Sequence, residues 1–270
     1  MESTPSSKLA VVTGASSGIG LELARIFAGE GFDLVVAAED DGLGPVAAEL
    51  EALGAGVEAV QVDLGRPEGV EELYQRISAL GRPLDAVALN AGIGAGGAFV
   101  DGARETELQQ ELQIVDLNVR STVHLAKYVV RDMVARDHGR LLFTSSIAST
   151  MPGAYQAVYN ASKSFVQSFA LALRNELKGT GVTVTALMPG PTETNFFRRA
   201  KMMDTKVGTS AKDDPREVAR LGYGALMAGK ERVVASSLST KLQARGSRLL
   251  PDAVKAQMHR WMAEPGTAKK

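Results

Sequence analysis

Thr13-Gly14-Ala15-Ser16-Ser17-Gly18-Ile19-Gly20 is the stretch that decides the fold of this 270-residue chain. It follows a short apolar run, Leu9-Ala10-Val11-Val12, that reads as a buried strand. It precedes residues 18–30, where Ile19, Leu23, Ile26 and Phe27 share one helical face and Gly31 supplies a stop. A strand, a glycine-rich turn and a helix, in that order, is where a doubly wound α/β fold binds a dinucleotide. Gly14 allows the tight turn, Gly18 lets the backbone approach a pyrophosphate, and Gly20 lets the helix pack closely. The helix N-terminus adds free N–H groups and partial positive charge. The spacing is G-x-x-x-G-x-G rather than G-x-G-x-x-G, so the turn is differently built.

The same residues also fit G-x-S-x-G, the nucleophile elbow of serine hydrolases, with Ser16 as nucleophile and His259 as a base. In that alternative the elbow would stand on the first strand. No earlier strand would then remain to carry the oxyanion loop, and the dinucleotide reading is preferred.

Outward from the loop the alternation continues. Apolar runs at residues 33–38, 57–62, 84–89, 140–143 and 182–187 read as strands, with 232–235 as a seventh. Helical patterns occupy 45–53, 67–80, about 106–136 with an internal kink, 158–178 and 215–228. The last is marked by Asp214 as cap, Pro215 at the first position and Glu217 at the third. Strands separated by helices imply right-handed crossovers and a parallel sheet covered on both faces. The expectation is one doubly wound Rossmann-type domain over residues 8–236, with about seven strands. Residues 1–7 are expected to be a flexible tail, 191–213 a substrate lid, and 237–270 a helical extension with basic residues Lys241, Arg245 and Arg248.

Composition narrows the function. Thirty Lys and Arg against 31 Asp and Glu leave a net charge of −1, which argues against nucleic-acid and membrane-surface binding. The absence of Cys excludes disulfides and thiolate chemistry. His124, His138 and His259 are widely separated and no H-E-x-x-H pattern occurs, so no metal site is expected. No apolar run reaches the ~18 residues of a membrane span, and residues 1–7 lack a signal-peptide core. A cytoplasmic protein is expected.

The catalytic candidates lie in the second half. Tyr159 and Lys163, in Tyr159-Asn160-Ala161-Ser162-Lys163, have the four-residue spacing that puts two side chains on one helix face. A phenol near pKa 10 is a poor proton shuttle at neutral pH, and a nearby ammonium favours its ionised form. Ser146 closes the fifth strand, 13 residues before Tyr159, at the carboxyl end where such sheets place active sites. Asn118 is a polar residue on a helix expected to be buried, and needs a partner.

Together with Asn90-Ala91-Gly92 after the fourth strand and Pro189-Gly190-Pro191-Thr192-Glu193-Thr194 after the sixth, these motifs resemble the short-chain dehydrogenase/reductase family. The resemblance runs from about Leu9 to Val234. It implies an oxidoreductase that moves hydride between a nicotinamide dinucleotide and a carbonyl or secondary alcohol. Tyr159 would be the general acid/base, and Ser146 would hold the substrate oxygen. Lys163 would hold the nicotinamide ribose and lower the Tyr159 pKa, and Asn118 would anchor a water in a proton relay. The loop residues Gly14, Ser16, Ser17, Gly18, Ile19 and Gly20 would take the pyrophosphate. Asp63 and Leu64 would border the adenine, and Asn90, Ala91 and Gly92 its ribose. Pro189, Gly190, Thr192 and Thr194 would border the nicotinamide. By the same resemblance Ala154, Tyr155 and Gln156 would line the substrate pocket, and the long helices would form a homodimer or homotetramer.

The second strand ends Ala38-Glu39-Asp40-Asp41, with Glu39 19 residues beyond Gly20. An acid there bonds the adenine-ribose 2′-hydroxyl and repels a 2′-phosphate. NAD is therefore expected, with NADP the alternative. In the lid, Phe196, Phe197, Met202 and Met203 suggest an apolar pocket under a mobile flap. A cofactor-sensing protein without turnover is a further alternative, disfavoured by the complete Ser146–Tyr159–Lys163 set.

Overall fold

The computed structural model describes residues 8–100, 102, 104–236 and 250–269. Seven strands form one parallel sheet in the order β3-β2-β1-β4-β5-β6-β7. They are β1 Lys8–Thr13, β2 Phe32–Ala38, β3 Val57–Gln61, β4 Ala86–Leu89, β5 Gly139–Thr144, β6 Val182–Pro189 and β7 Arg232–Ala235. This is the expected single α/β domain. The parallel strands are buried on both faces, so successive residues serve opposite cores. In β1, Leu9 and Val11 join a core covered by α3 Pro67–Ala79, α5 Ser121–Ala135 and α6 Ala157–Glu176. Ala10 and Val12 join the other, covered by α1 Gly18–Gly29, α2 Leu43–Ala52 and α9 Pro215–Met227. In that second core Phe27 meets Phe32 and Tyr223 edge-on at 5.1 Å each. Burying a side chain of this size stabilises by about 1.5–3 kcal/mol.

The expected long helix with an internal irregularity runs without a break from Leu108 to Ala135. It consists of α4 Leu108–Val115, a π-helical turn Asp116–Arg120, and α5. The hydroxyls of Ser121 and Thr122 donate to the carbonyls of Leu117 and Asn118, four residues back. That back-bonding accompanies the widened turn. The Asp214 side chain caps α9 through the Arg216 N–H at 2.9 Å, as expected, whereas Glu217 pairs with Arg220.

Residues 191–213 are folded rather than extended. Two short helices, α7 Phe196–Arg199 and α8 Lys206–Thr209, stand in a loop closed at its base by a Thr192–Asp213 bridge. Phe197, Ala200 and Met202 form a small core with Ala263 of the last helix, α10 Asp252–Ala263. The expected flexible tail and the basic residues Lys241, Arg245 and Arg248 lie outside the described residues.

Candidate active site

Strands β1 and β4 are neighbours, but the chain leaves them toward opposite faces of the sheet. That is the switch point at which an open α/β sheet forms a crevice. Here the crevice holds about 790 Å3 and runs from Asp40 and Asp63, past the glycine loop, to Ser146, Tyr159 and Lys163. Of the residues expected to bind cofactor or react, all but Gly20 and Asn118 line it.

Gly20 stands behind the wall. A Cβ at this position would lie 2.1 Å from the Gly14 carbonyl oxygen and 2.6 Å from the Asn90 side-chain nitrogen. The third glycine therefore lets α1 close on the loop itself. Gly18 takes φ +57, a left-handed conformation that favours glycine. Ser17 caps α1 with its backbone only and makes no side-chain bond. No side chain caps the first N–H groups of the helix, and Gly18 and Ile19 line the crevice, as an anion site requires.

Thr13 ties this loop to the next strand. Its hydroxyl accepts from the backbone N–H of Asn90 at 2.9 Å and of Ala91 at 3.0 Å, and the Asn90 amide donates to the Thr13 carbonyl. Thr144 at the end of β5 donates to Asn90 Oδ1 at 3.1 Å. Neither threonine stands out in the sequence. Each closes an apolar strand, and that position was the available signal.

Asn118 is 1% exposed, and the π turn points it inward. Its amide accepts from the Ile93 N–H and donates to the Ile93 carbonyl and to Ser162 Oγ, all at 2.9 Å. It clamps the chain after β4 onto α6. The buried Asn160 does the same on the other side, donating to the carbonyls of Ala148 and Met151 at 3.2 Å. The segment it holds carries Ser146, which caps a short 3-10 turn, Ile147–Thr150, through the Ala148 N–H.

Tyr159 and Lys163 share the crevice-facing side of α6. Tyr159 is half-buried and lines the crevice. Desolvation pushes its phenol up to about 12, with the Ser146 hydroxyl pulling it partly back. Lys163 is buried, and desolvation holds its ammonium down at about 8. Its Nζ donates to the Thr144 carbonyl at 3.0 Å and lies 6.0 Å from the Tyr159 ring centre. The expected lowering of the Tyr159 pKa by Lys163 is therefore corrected: burial dominates, and the ammonium is directed to a carbonyl instead.

Other expectations are corrected in the same region. Of Ala154, Tyr155 and Gln156, only Gln156 lines the crevice. Tyr155 braces it from behind, at φ +63, with its hydroxyl donating to Glu264 at 2.7 Å. Met202 is buried in the lid's own core and Met203 is exposed, whereas Phe196 and Phe197 do face the crevice. The Ser16 hydroxyl donates to Asp40 at 3.0 Å, and His259 Nδ1 faces the Ala154 carbonyl at 2.8 Å. No Ser16–His259 bond supports the hydrolase alternative. Glu39 is exposed, and Asp40 is the acid turned toward the loop. Among the described residues no helix is long and apolar enough to cross a membrane.

Comparison with known proteins agrees with this fold. The sequence matches the family model described as short chain dehydrogenase over residues 8–204. A 1-deoxy-11-beta-hydroxypentalenate dehydrogenase from Streptomyces exfoliatus is 39% identical over 189 residues, 69% of this chain and 68% of that protein. A short-chain dehydrogenase from Sphingobium yanoikuyae, solved with NADPH, superposes with a TM-score of 0.78 at 27% identity, covering 93% of this chain and 94% of that one. A member from Burkholderia phymatum, solved with NAD, shares the fold at a TM-score of 0.79 and 24% identity, covering 88% and 92%. A family match over most of the chain, on a sheet of this order, places this protein in the short-chain dehydrogenase/reductase family.

Proposed function

We propose that this enzyme interconverts a carbonyl compound and a secondary alcohol, with Ser146, Tyr159 and Lys163 as its reacting set. The carrying observation is that these three side chains share one crevice with the uncapped N-terminus of α1. A nicotinamide dinucleotide fits that crevice. Gly14, Ser16, Ser17, Gly18 and Ile19 would hold its pyrophosphate, and Asp63, Leu64, Asn90, Ala91 and Gly92 its adenosine. Pro189, Gly190, Thr192 and Thr194 would flank the nicotinamide. When bound, the dinucleotide supplies or accepts the hydride.

The protein supplies the proton and its placement. A phenol held near 12 is neutral at physiological pH and donates to a strongly basic, newly formed alkoxide. Ser146 stabilises charge developing on the same oxygen. Lys163 is still mainly an ammonium at neutral pH, able to hold ribose hydroxyls beside Tyr159. Asn118 fixes Ile93 and Ser162, and so the spacing between the β4 loop and α6.

The acidic rim of Glu39 and Asp40 supports NAD over NADP. Exposed Leu108, Leu112 and Phe165 on α4 and α6 support a homodimer or homotetramer, which light scattering reads directly. The test of the main reading is a panel of ketones and secondary alcohols offered with NADH, NADPH, NAD and NADP. Turnover abolished by Tyr159→Phe supports it, and dinucleotide binding with no turnover of any pair overturns it.

A further inference from the structure

We propose that His259 is a substrate-recognition residue, whose Nε2 accepts a hydrogen bond from a hydroxyl borne away from the reacting carbon. The inference rests on the oxidoreductase reading and adds the class of molecule: a largely apolar ketone or alcohol with a second, donating oxygen.

His259 stands on α10, beyond residues 8–204, so it lies outside the segment matched to the family. It is 6% exposed and lines the same crevice as Tyr159. Its Nδ1 lies 2.8 Å from the Ala154 carbonyl oxygen. A carbonyl only accepts, so Nδ1 carries the proton. Burial holds the imidazole below its ordinary pKa, which leaves the ring neutral at physiological pH. Nε2 then presents a lone pair, and no described residue donates to it. A ligand in the crevice that His259 lines can supply the donor.

Gln156 makes the same point from the opposite polarity. It is buried, lines the crevice two residues from Ala154, and its Nε2 has no hydrogen-bond partner. A hydroxyl both donates and accepts, so it suits a wall offering an imidazole lone pair and an amide N–H. A carboxylate suits it less, because it has no proton to give Nε2. Ile147, Met151, Phe196 and Met262 make the neighbouring surface apolar. A hydrocarbon frame carrying one hydroxyl therefore matches the wall better than a polyol or an anion.

The test uses dinucleotide-loaded enzyme with 4-phenylcyclohexanone, its 3- and 4-hydroxyphenyl analogues, and the methyl ether of each phenol. The ethers keep the oxygen and lose the proton. At least one phenol is expected to exceed its ether in kcat/KM by about tenfold, the scale of one hydrogen bond to a buried partner. His259→Phe is expected to bring that ratio near one, and His259→Gln, which returns an amide oxygen, to recover part of it. Equal rates for phenol and ether in the wild type, or an unchanged ratio in His259→Phe, overturn the proposal. Calorimetric binding of the same compounds separates the two readings. Discrimination in binding without turnover of any ketone overturns the oxidoreductase reading alone. Turnover without discrimination overturns the His259 subsite alone, and absence of both overturns both.

Discussion

Arg199 of α7 and Asp40 beyond β2 form an ion pair at 3.3 Å, although 159 residues separate them. The same Asp40 oxygen accepts from Ser16 in the glycine loop at 3.0 Å. One carboxylate therefore joins the acidic turn, the glycine loop and the 191–213 segment across one end of the crevice.

Cofactor choice follows from that junction. A 2′-phosphate would meet Glu39 and Asp40, whereas ribose hydroxyls can donate to them. A charge-assisted hydrogen bond contributes about 1.5–3 kcal/mol, so NAD should be preferred by about tenfold or more in kcat/KM. Glu39→Arg should erase or reverse the preference, incompletely while Asp40 remains. Adding Asp40→Asn should complete the reversal, because it frees the Arg199 guanidinium for the phosphate. The comparison is made at one ionic strength. A wild-type preference for NADP, or ratios unmoved by both substitutions, would place selection elsewhere.

Tyr159→Phe removes the proton donor and keeps the ring. Turnover should fall by at least about 100-fold with dinucleotide affinity little changed, as for a group acting only in the chemical step. Near-normal turnover would take Tyr159 out of the reaction.

Lys163 should leave a signature in stability. Its folded pKa is about 8, against about 10.4 in an unfolded chain. Between those values the unfolded state binds the extra proton, so stability without ligand rises with pH. The cost of burying the ammonium is complete below pH 8 and relieved by about 10.4, a change on the order of 3 kcal/mol. Tyr159 acts in the opposite sense only above about pH 10, where an unfolded phenol begins to ionise. Urea midpoints between pH 8 and 10 should rise in the wild type and stay flatter in Lys163→Met. Equal slopes would show that Lys163 is not desolvated.

Gly20→Ala places a methyl 2.1 Å from the Gly14 carbonyl, a backbone atom with little room to yield. It should destabilise by about 1–3 kcal/mol and weaken dinucleotide binding at least about tenfold. Gly29→Ala, at the other end of α1 with nothing within 4 Å of the added carbon, is the control. It should be neutral or slightly stabilising. Matching losses in the two variants would reduce the effect to helix propensity.

What the sequence disclosed and withheld has a physical pattern. The glycine loop was legible because an L side chain cannot occupy φ +57 at Gly18 without strain, so composition reports geometry there. The cap and first turn of α9 were legible for a similar local reason, in Asp214 and Pro215. An irregularity in the long helix was expected, but its π form was not legible, since the Ser121 and Thr122 hydroxyls whose back-bonding accompanies it are ordinary in sequence. The Tyr159 pKa was misjudged because four-residue spacing fixes the helix face but not where Nζ points. Thr144, far away in sequence, decides that. The site role of His259 was equally out of reach, because α10 touches the crevice only after the chain has folded.

The crevice is assembled from successive stretches of the chain, with the glycine loop and acidic turn before residue 93, Ser146, Tyr159 and Lys163 between 144 and 163, and Pro189 to Thr194 at and beyond the end of β6. Much of the remaining wall, including Phe196, His259 and Met262, comes from residues after 194. On the proposed roles, mutational drift beyond Thr194 would alter what the enzyme accepts while leaving the residues assigned to the dinucleotide and to the proton untouched. Diversity confined to the wall residues beyond Thr194 is accordingly a route by which this scaffold would acquire new specificities without first losing activity, and laboratory evolution would do well to concentrate there.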